Sequence, residues 1–130
     1  MKSTLAYGLA AATFAGLGLG LASAADAVPK PPTRLHLTVT DAEGVTKDVF
    51  LGCRPTGGNH PKAAAACDAL HDAGGELDKL KGGADVVCTT EYDPVTVTAE
   101  GTFNDAPLSW KKEFGNACEL NARTGAVFAF

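Results

Sequence analysis

Four cysteines, Cys53, Cys67, Cys88 and Cys118, constrain this chain more than any other feature. The closest two, Cys53 and Cys67, are fourteen residues apart, so no Cys-x-x-Cys pair is available to start a zinc site. His36, His60 and His71 show no spacing that completes one. Two disulfides are therefore the expected use, with no metal and no cofactor. Four cysteines admit three pairings, and spacing alone does not choose among them.

Disulfides call for an oxidising compartment, and the N-terminus offers the route to one. Lys2 gives a positive start, Leu5 to Leu21 is uncharged and apolar, and Ala22-Ser23-Ala24 has the small-x-small pattern of a cleavage site. The reading is a signal peptide over residues 1–24, cut after Ala24 or Ala25, with Ala27 as an alternative. A membrane anchor fits less well, because the stretch is glycine-rich and marginal for the roughly 20 residues of a spanning helix. Cleavage after Ala24 leaves 106 residues with ten basic and fifteen acidic side chains, secreted and free of the membrane. A chain that small gains much from cross-links. The full sequence, 45% hydrophobic with a net charge of −4, does not have the composition of a disordered chain. Without clustered Lys and Arg it is not a nucleic-acid binder either.

Residues 25–33, with Pro29, Pro31 and Pro32, read as a flexible N-terminal arm, and residues 34–130 as one domain. Leu35, Leu37 and Val39 alternate with His36, Thr38 and Thr40 as in a half-buried strand. Asp41–Gly44 is a turn into a second strand, Val45 to Leu51, making a hairpin. Lys62 to Ala73 reads as a helix with Ala63, Ala66, Cys67 and Leu70 on its buried side. Asn59 or His60 would cap it, Pro61 would sit in its first turn, and Gly74-Gly75 would end it. Cys67 is then well placed to staple the helix to Cys53. Glu76 to Leu80 forms a short helical turn. Val95, Val97 and Ala99 mark a third strand, Asn104 to Pro107 a turn, Leu108 to Phe114 a fourth strand, and Val127 to Phe130 a short C-terminal strand. The expected class is α+β, a five-stranded antiparallel sheet with helices on one face.

Val86 to Pro94 fits neither helix nor strand and carries Cys88. A disulfide from Cys88 to Cys118 would tether it beside Asn116. A cross-linked loop on a small secreted scaffold is the strongest functional hint in the sequence.

Several stretches resemble the Streptomyces subtilisin inhibitor family of secreted serine-protease inhibitors. They are Cys53-Arg54-Pro55, Gly58-Asn59-His60-Pro61, Ala64-Ala65-Ala66-Cys67, Gly74-Gly75-x-Leu77, Asp85-Val86-x-Cys88 and Tyr92-Asp93-Pro94-Val95. Two more follow, Phe114-x-Asn116-x-Cys118-Glu119-x-Asn121-Ala122 and Val127-Phe128-Ala129-Phe130. The resemblance implies disulfides Cys53–Cys67 and Cys88–Cys118, two helices on the sheet, and a homodimer. Such loops would stabilise the fold by roughly 3 and about 3.5 kcal/mol in a chain-entropy treatment.

It also implies a reactive bond between Thr90 and Glu91, offered as a substrate to an extracellular subtilisin-like serine protease. Thr90 would fill the primary pocket, with Val87 and Thr89 in the acyl-side subsites and Cys88 locking the backbone. Glu91, Tyr92 and Asp93 would lie on the leaving-group side, and Asn116 would brace the loop from below. Two positions depart from the family pattern. Thr89 stands where proline is frequent, and Thr90 where an unbranched side chain such as Met or Lys is usual. Thr90 neither pairs with an acidic pocket nor fills a large apolar one, so a small or broad pocket is expected. The alternative is a secreted binding protein of this fold with weak or no serine-protease inhibition, acting on a metalloprotease or as a cross-linking substrate. An enzyme is not expected, because Ser109, the only serine after the signal, sits in a strand without a nucleophile-elbow context. The remaining distinctive residues have structural readings. Trp110 and Phe103 pack on the sheet, His60 caps a helix, His71 lies at a solvated helix end, and Tyr92-Asp93-Pro94 also closes the loop.

Overall fold

The alternation Leu35, Leu37 against His36, Thr38 builds β1 (Thr33–Thr40), which pairs antiparallel with β2 (Thr46–Cys53) and places Leu37 opposite Val49. The computed structural model describes residues 31–83 and 85–130, and Gly16, Gly18 and Gly20 besides. Most of the expected signal peptide and most of the N-terminal arm lie outside the described residues. Thr33, the last residue assigned to that arm, is buried as the first residue of β1. Asp41 makes the β1–β2 turn by accepting, at Oδ1, the backbone N–H groups of Glu43 and Val45.

β4 (Val95–Phe103) lies on the other side of β1, with Ala99 opposite Leu37, and β5 (Ala106–Phe114) pairs with β4. The link between them is only Asn104-Asp105, both at positive φ (48° and 64°), the geometry of a two-residue hairpin turn. β5 therefore starts at Ala106, two residues before the expected Leu108. Pro107 fits there because β5 is an edge strand, where a missing N–H costs no ladder bond.

With the short strand β3 (Gly57–Gly58), the sheet order is β3-β2-β1-β4-β5, antiparallel throughout. Five strands were expected, but the fifth is not the C-terminal segment. It is β3, the pair Gly57–Gly58 beside β2, a place read from sequence only as a chain break. Gly125 turns the chain sharply after the second helix, and Gly125–Phe128 form a 3-10 turn that buries Val127 and Phe128 against the helices and β1. A short apolar run satisfies its burial equally well as a turn or as a strand, so its pattern did not discriminate.

α1 (Ala63–Asp72) buries Ala66, Cys67 and Leu70, the expected stripe, and Cys67 is joined to Cys53 at the end of β2. It closes in the left-handed turn expected of two glycines: Gly74 N–H bonds the His71 carbonyl, and Gly75 N–H that of Leu70. Its start differs from expectation. The N-cap is Lys62, without a side-chain cap bond. Asn59 instead accepts the N–H of Phe50, tying β3 to β2. His60 is buried, accepting the Lys62 N–H at Nδ1 (2.9 Å) and donating from Nε2 to the Val127 carbonyl (2.8 Å). It joins the helix start to the C-terminal turn instead of capping the helix. His71 is not a solvated end: its Nδ1 lies 2.9 Å from an Arg54 guanidinium nitrogen and its ring tilts against Phe103.

Leu77–Lys79 is a 3-10 turn, as expected, with Leu77 buried. Asp78 receives both the Trp110 indole N–H and the Lys112 ammonium of β5, and Trp110 stacks on Phe128. Glu76 beside Lys79 raises that ammonium's pKa, through its hydrogen bond first and its charge second. The core thus lies between one sheet face (Leu35, Leu37, Val49, Leu51, Val97, Ala99) and the helical layer. Each of these leucine and valine side chains contributes about 1.5–3 kcal/mol on burial.

Candidate functional site

Beyond β5 the chain runs through Gly115 into α2 (Ala117–Thr124), the element that organises the site. Reading apolar periodicity does not find this helix, because Glu119, Asn121 and Arg123 interrupt its stripe. Its signal is the start: Asn116 caps α2 by accepting the Glu119 N–H at Oδ1 (2.9 Å), and Glu119 Oε2 accepts the Gly115 N–H (3.1 Å). That reciprocal arrangement is a variant of the capping box, legible as Asn-x-x-Glu. The resemblance supplied the second helix where periodicity did not.

The segment from Asp85 to Pro94 crosses in front of α2 without regular secondary structure. Val87 is 95% exposed and Tyr92 75%, and Thr89, Thr90, Glu91 and Asp93 are exposed as well. A water-facing valine and tyrosine on one loop are poor for stability and well suited to a partner.

One disulfide and four hydrogen bonds hold this exposed segment. Cys88 is bonded to Cys118 in the first turn of α2, with Cα atoms 5.7 Å apart. Asn116, 8% exposed, donates from Nδ2 to the carbonyls of Thr89 (3.1 Å) and Glu91 (2.8 Å). The Asp93 N–H donates to the Gly115 carbonyl (2.8 Å). The Tyr92 hydroxyl donates to Glu113 Oε1 on β5 (3.3 Å). Because Oδ1 of Asn116 is engaged by the helix start, its amide is turned so that both Nδ2 protons face the loop.

These contacts skip the residue between them. Among the described residues the Thr90 carbonyl accepts no hydrogen bond, while the carbonyls on both sides are held. The structure therefore brings together Val87, Cys88, Thr89, Thr90, Glu91, Tyr92 and Asp93 in one exposed loop, with Asn116 and Cys118 beneath. A peptide bond presented this way, free at its carbonyl and fixed at its flanks, is suited to docking as a substrate docks.

The loop is also acidic. No Lys or Arg occurs between Lys81 and Lys111, and among the described residues Glu91, Asp93 and Glu113 take part in no ion pair. Among the described residues no group of three His, Cys, Asp or Glu side chains is arranged to hold a metal ion. The histidines sit elsewhere: His36 against Asp48 and Phe50, His60 and His71 at the two ends of α1.

Residues 31–116 match the family described as subtilisin inhibitor-like. The chain is 41% identical over 105 residues to subtilisin inhibitor-like protein 7 of Streptomyces ambofaciens, covering 76% of this chain and 96% of that protein. It is 37% identical over 126 residues to the subtilisin inhibitor of Streptomyces albogriseolus, covering 92% of this chain and 88% of that one. Among solved structures it is similar to Streptomyces caespitosus sermetstatin in complex with Bacillus licheniformis subtilisin. That likeness has a TM-score of 0.65 and 36% identity, and covers 76% of this chain and 99% of sermetstatin.

Proposed function

The chain belongs to the subtilisin inhibitor-like family, and from that premise we propose that it is a secreted inhibitor of subtilisin-like serine proteases, bound through the loop that crosses Thr90–Glu91. The observation that carries this reading is the single Asn116 amide bonded to carbonyls on both sides of that bond.

The mechanism follows from that geometry. The protease serine attacks the Thr90 carbonyl, which among the described residues accepts no hydrogen bond while those of Thr89 and Glu91 are held. The loop arrives already ordered by Cys88–Cys118 and Asn116, so little conformational freedom is lost on binding. If the bond is cut, Asn116 still holds Thr89 on the acyl side and Glu91 on the leaving side. The new amine stays beside the acyl-enzyme at high effective concentration, and religation competes with hydrolysis.

Thr90 occupies the primary pocket, Val87 and Thr89 the acyl-side subsites, and Glu91, Tyr92 and Asp93 the leaving-group side. A β-branched Thr90 favours a small or broad pocket. Glu91, in an unpaired acidic loop, favours a basic leaving-group subsite over an acidic one. A signal peptide over residues 1–24 delivers the protein outside the cell, where its two disulfides persist. The proposed assembly is a homodimer, and Phe50, 58% exposed on the outer sheet face, supports it as an apolar contact for a second copy. The alternative, a binding protein of this fold without inhibition, draws no support from relatives named as inhibitors.

Titration of subtilisin with the mature protein tests the reading. Stoichiometric loss of activity, followed by slow cleavage between Thr90 and Glu91, is expected. An intact, fully disulfide-bonded protein that leaves subtilisin active contradicts it.

A further inference from the structure

Between Leu80, buried in the core, and Cys88, cross-linked to α2, the acyl-side leg of the loop makes no hydrogen bond to the body among the described residues. Its footing is bare backbone. A Cβ on Gly82 would overlap the carbonyl group of Ala122 and come within 2.5 Å of the Asn121 oxygen, so Gly82 lies directly on the last turn of α2. Gly125 closes on the same strip, where a Cβ would sit 3.2 Å from the Lys81 oxygen and 3.4 Å from the Gly82 Cα. The next contact belongs to Gly83, where a Cβ would be 3.1 Å from Cγ2 of Val86. Val86 is thus folded back on Gly83, and its neighbour Val87 projects into solvent.

We infer that Gly82 and Gly83 are positioning residues of the loop: Gly82 seats the leg on α2, Gly83 makes room for Val86, and together they set where Val86 and Val87 meet the acyl-side subsites of the protease. This rests on the inhibitory reading of the loop given above. The support is separate from that of Asn116, which acts on the two sides of Thr90. α2 carries the loop at both ends, through Asn116 and Cys118 at its first turn and through Gly82 at its last. A side chain at position 82 would meet backbone atoms, so the leg or the helix must move. At position 83 it meets only a methyl group that can turn away.

The test begins with wild-type titration of subtilisin. Failure there removes the inhibitory reading and this inference with it, whereas the results below bear on the inference alone. Gly82→Ala is expected to weaken inhibition about tenfold. Combined with Val87→Ala it should do little more than the weaker single variant, a coupling of at least about threefold. Combined with Asn116→Ala, the losses should multiply. Gly83→Ala, which folds readily, should show the same coupling with Val87 at about a threefold loss. Nitrogen-15 relaxation of the wild type should give Gly82 the order parameter of α2, about 0.85, with Asp85 clearly lower. A purely structural glycine would lower the melting temperature while its effect on inhibition stayed absent or simply multiplied with that of Val87→Ala. Either result, or a Gly82 as mobile as Asp85, overturns the inference.

Discussion

Asn116 Nδ2 lies 2.8 Å from the Glu91 carbonyl oxygen, reaching past Thr90 from the Thr89 carbonyl that it also contacts. The same side chain caps α2 through Oδ1, so a helix start and a loop brace are one residue. Substitutions separate the two duties. Asn116→Asp keeps the cap acceptor and removes both donors. It should lower the melting temperature only by what the two loop bonds contribute, weaken subtilisin inhibition tenfold or more, and speed cleavage at Thr90–Glu91. Two lost hydrogen bonds at about 0.5–1.5 kcal/mol each account for that size. Asn116→Ala should lose a further 1 kcal/mol or so of stability with the cap. Inhibition constants and thermal melts on both variants check this.

If Thr90 fills the primary pocket as proposed, its side chain should set potency on this scaffold. Thr90→Met replaces a branched, half-polar side chain with a flexible apolar one, worth about 1.5–3 kcal/mol when buried in an apolar pocket. Inhibition of subtilisin should tighten at least tenfold with no change in melting temperature. Unchanged or weaker inhibition places the limit in the scaffold.

The two disulfides have different duties. Cys53–Cys67 ties β2 to α1 in the core, and Cys88–Cys118 ties the loop to α2. Replacing either pair by serine should cost about 2–5 kcal/mol of stability. Only loss of Cys88–Cys118 should also turn the inhibitor into a rapidly cleaved substrate. Cleavage rates measured well below both melting temperatures separate these effects.

Charge on the loop should show in association rates. Glu91, Asp93 and Glu113 have no cationic partner among the described residues. With a protease whose leaving-group rim is acidic, Glu91→Gln should raise the association rate at low salt, and the gain should fade towards 1 M salt as screening shortens to about 3 Å. With a basic rim the sign reverses. Stopped-flow rates across ionic strength decide it.

Much of this arrangement is legible in the chain. The period-2 runs at Leu35–Val39 and Val95–Ala99, the alanine-rich helix and its Gly74-Gly75 end all act locally, so pattern and structure agree. The failures are tertiary. His60 resembles a helix cap until the C-terminal turn brings the Val127 carbonyl to its ring. Val127 to Phe130 resembles a strand because burial alone does not distinguish a turn from a sheet edge. α2 hides behind polar residues, although Asn116 and Glu119 announce its start. For the loop, its place beside Cys88 and the brace from Asn116 are both legible, but which carbonyls Asn116 holds is not, because they come from residues 25 and 27 positions away.

Held as proposed, Thr90–Glu91 keeps its two ends in place after it is cut. The decisive measurement starts from inhibitor already cleaved at that bond, with both disulfides intact, and adds a catalytic amount of subtilisin. The bond should be resynthesised, and intact and cleaved forms should reach the same ratio as when the experiment starts from intact protein. Cleaved protein that stays cleaved, or is cut elsewhere, contradicts the account.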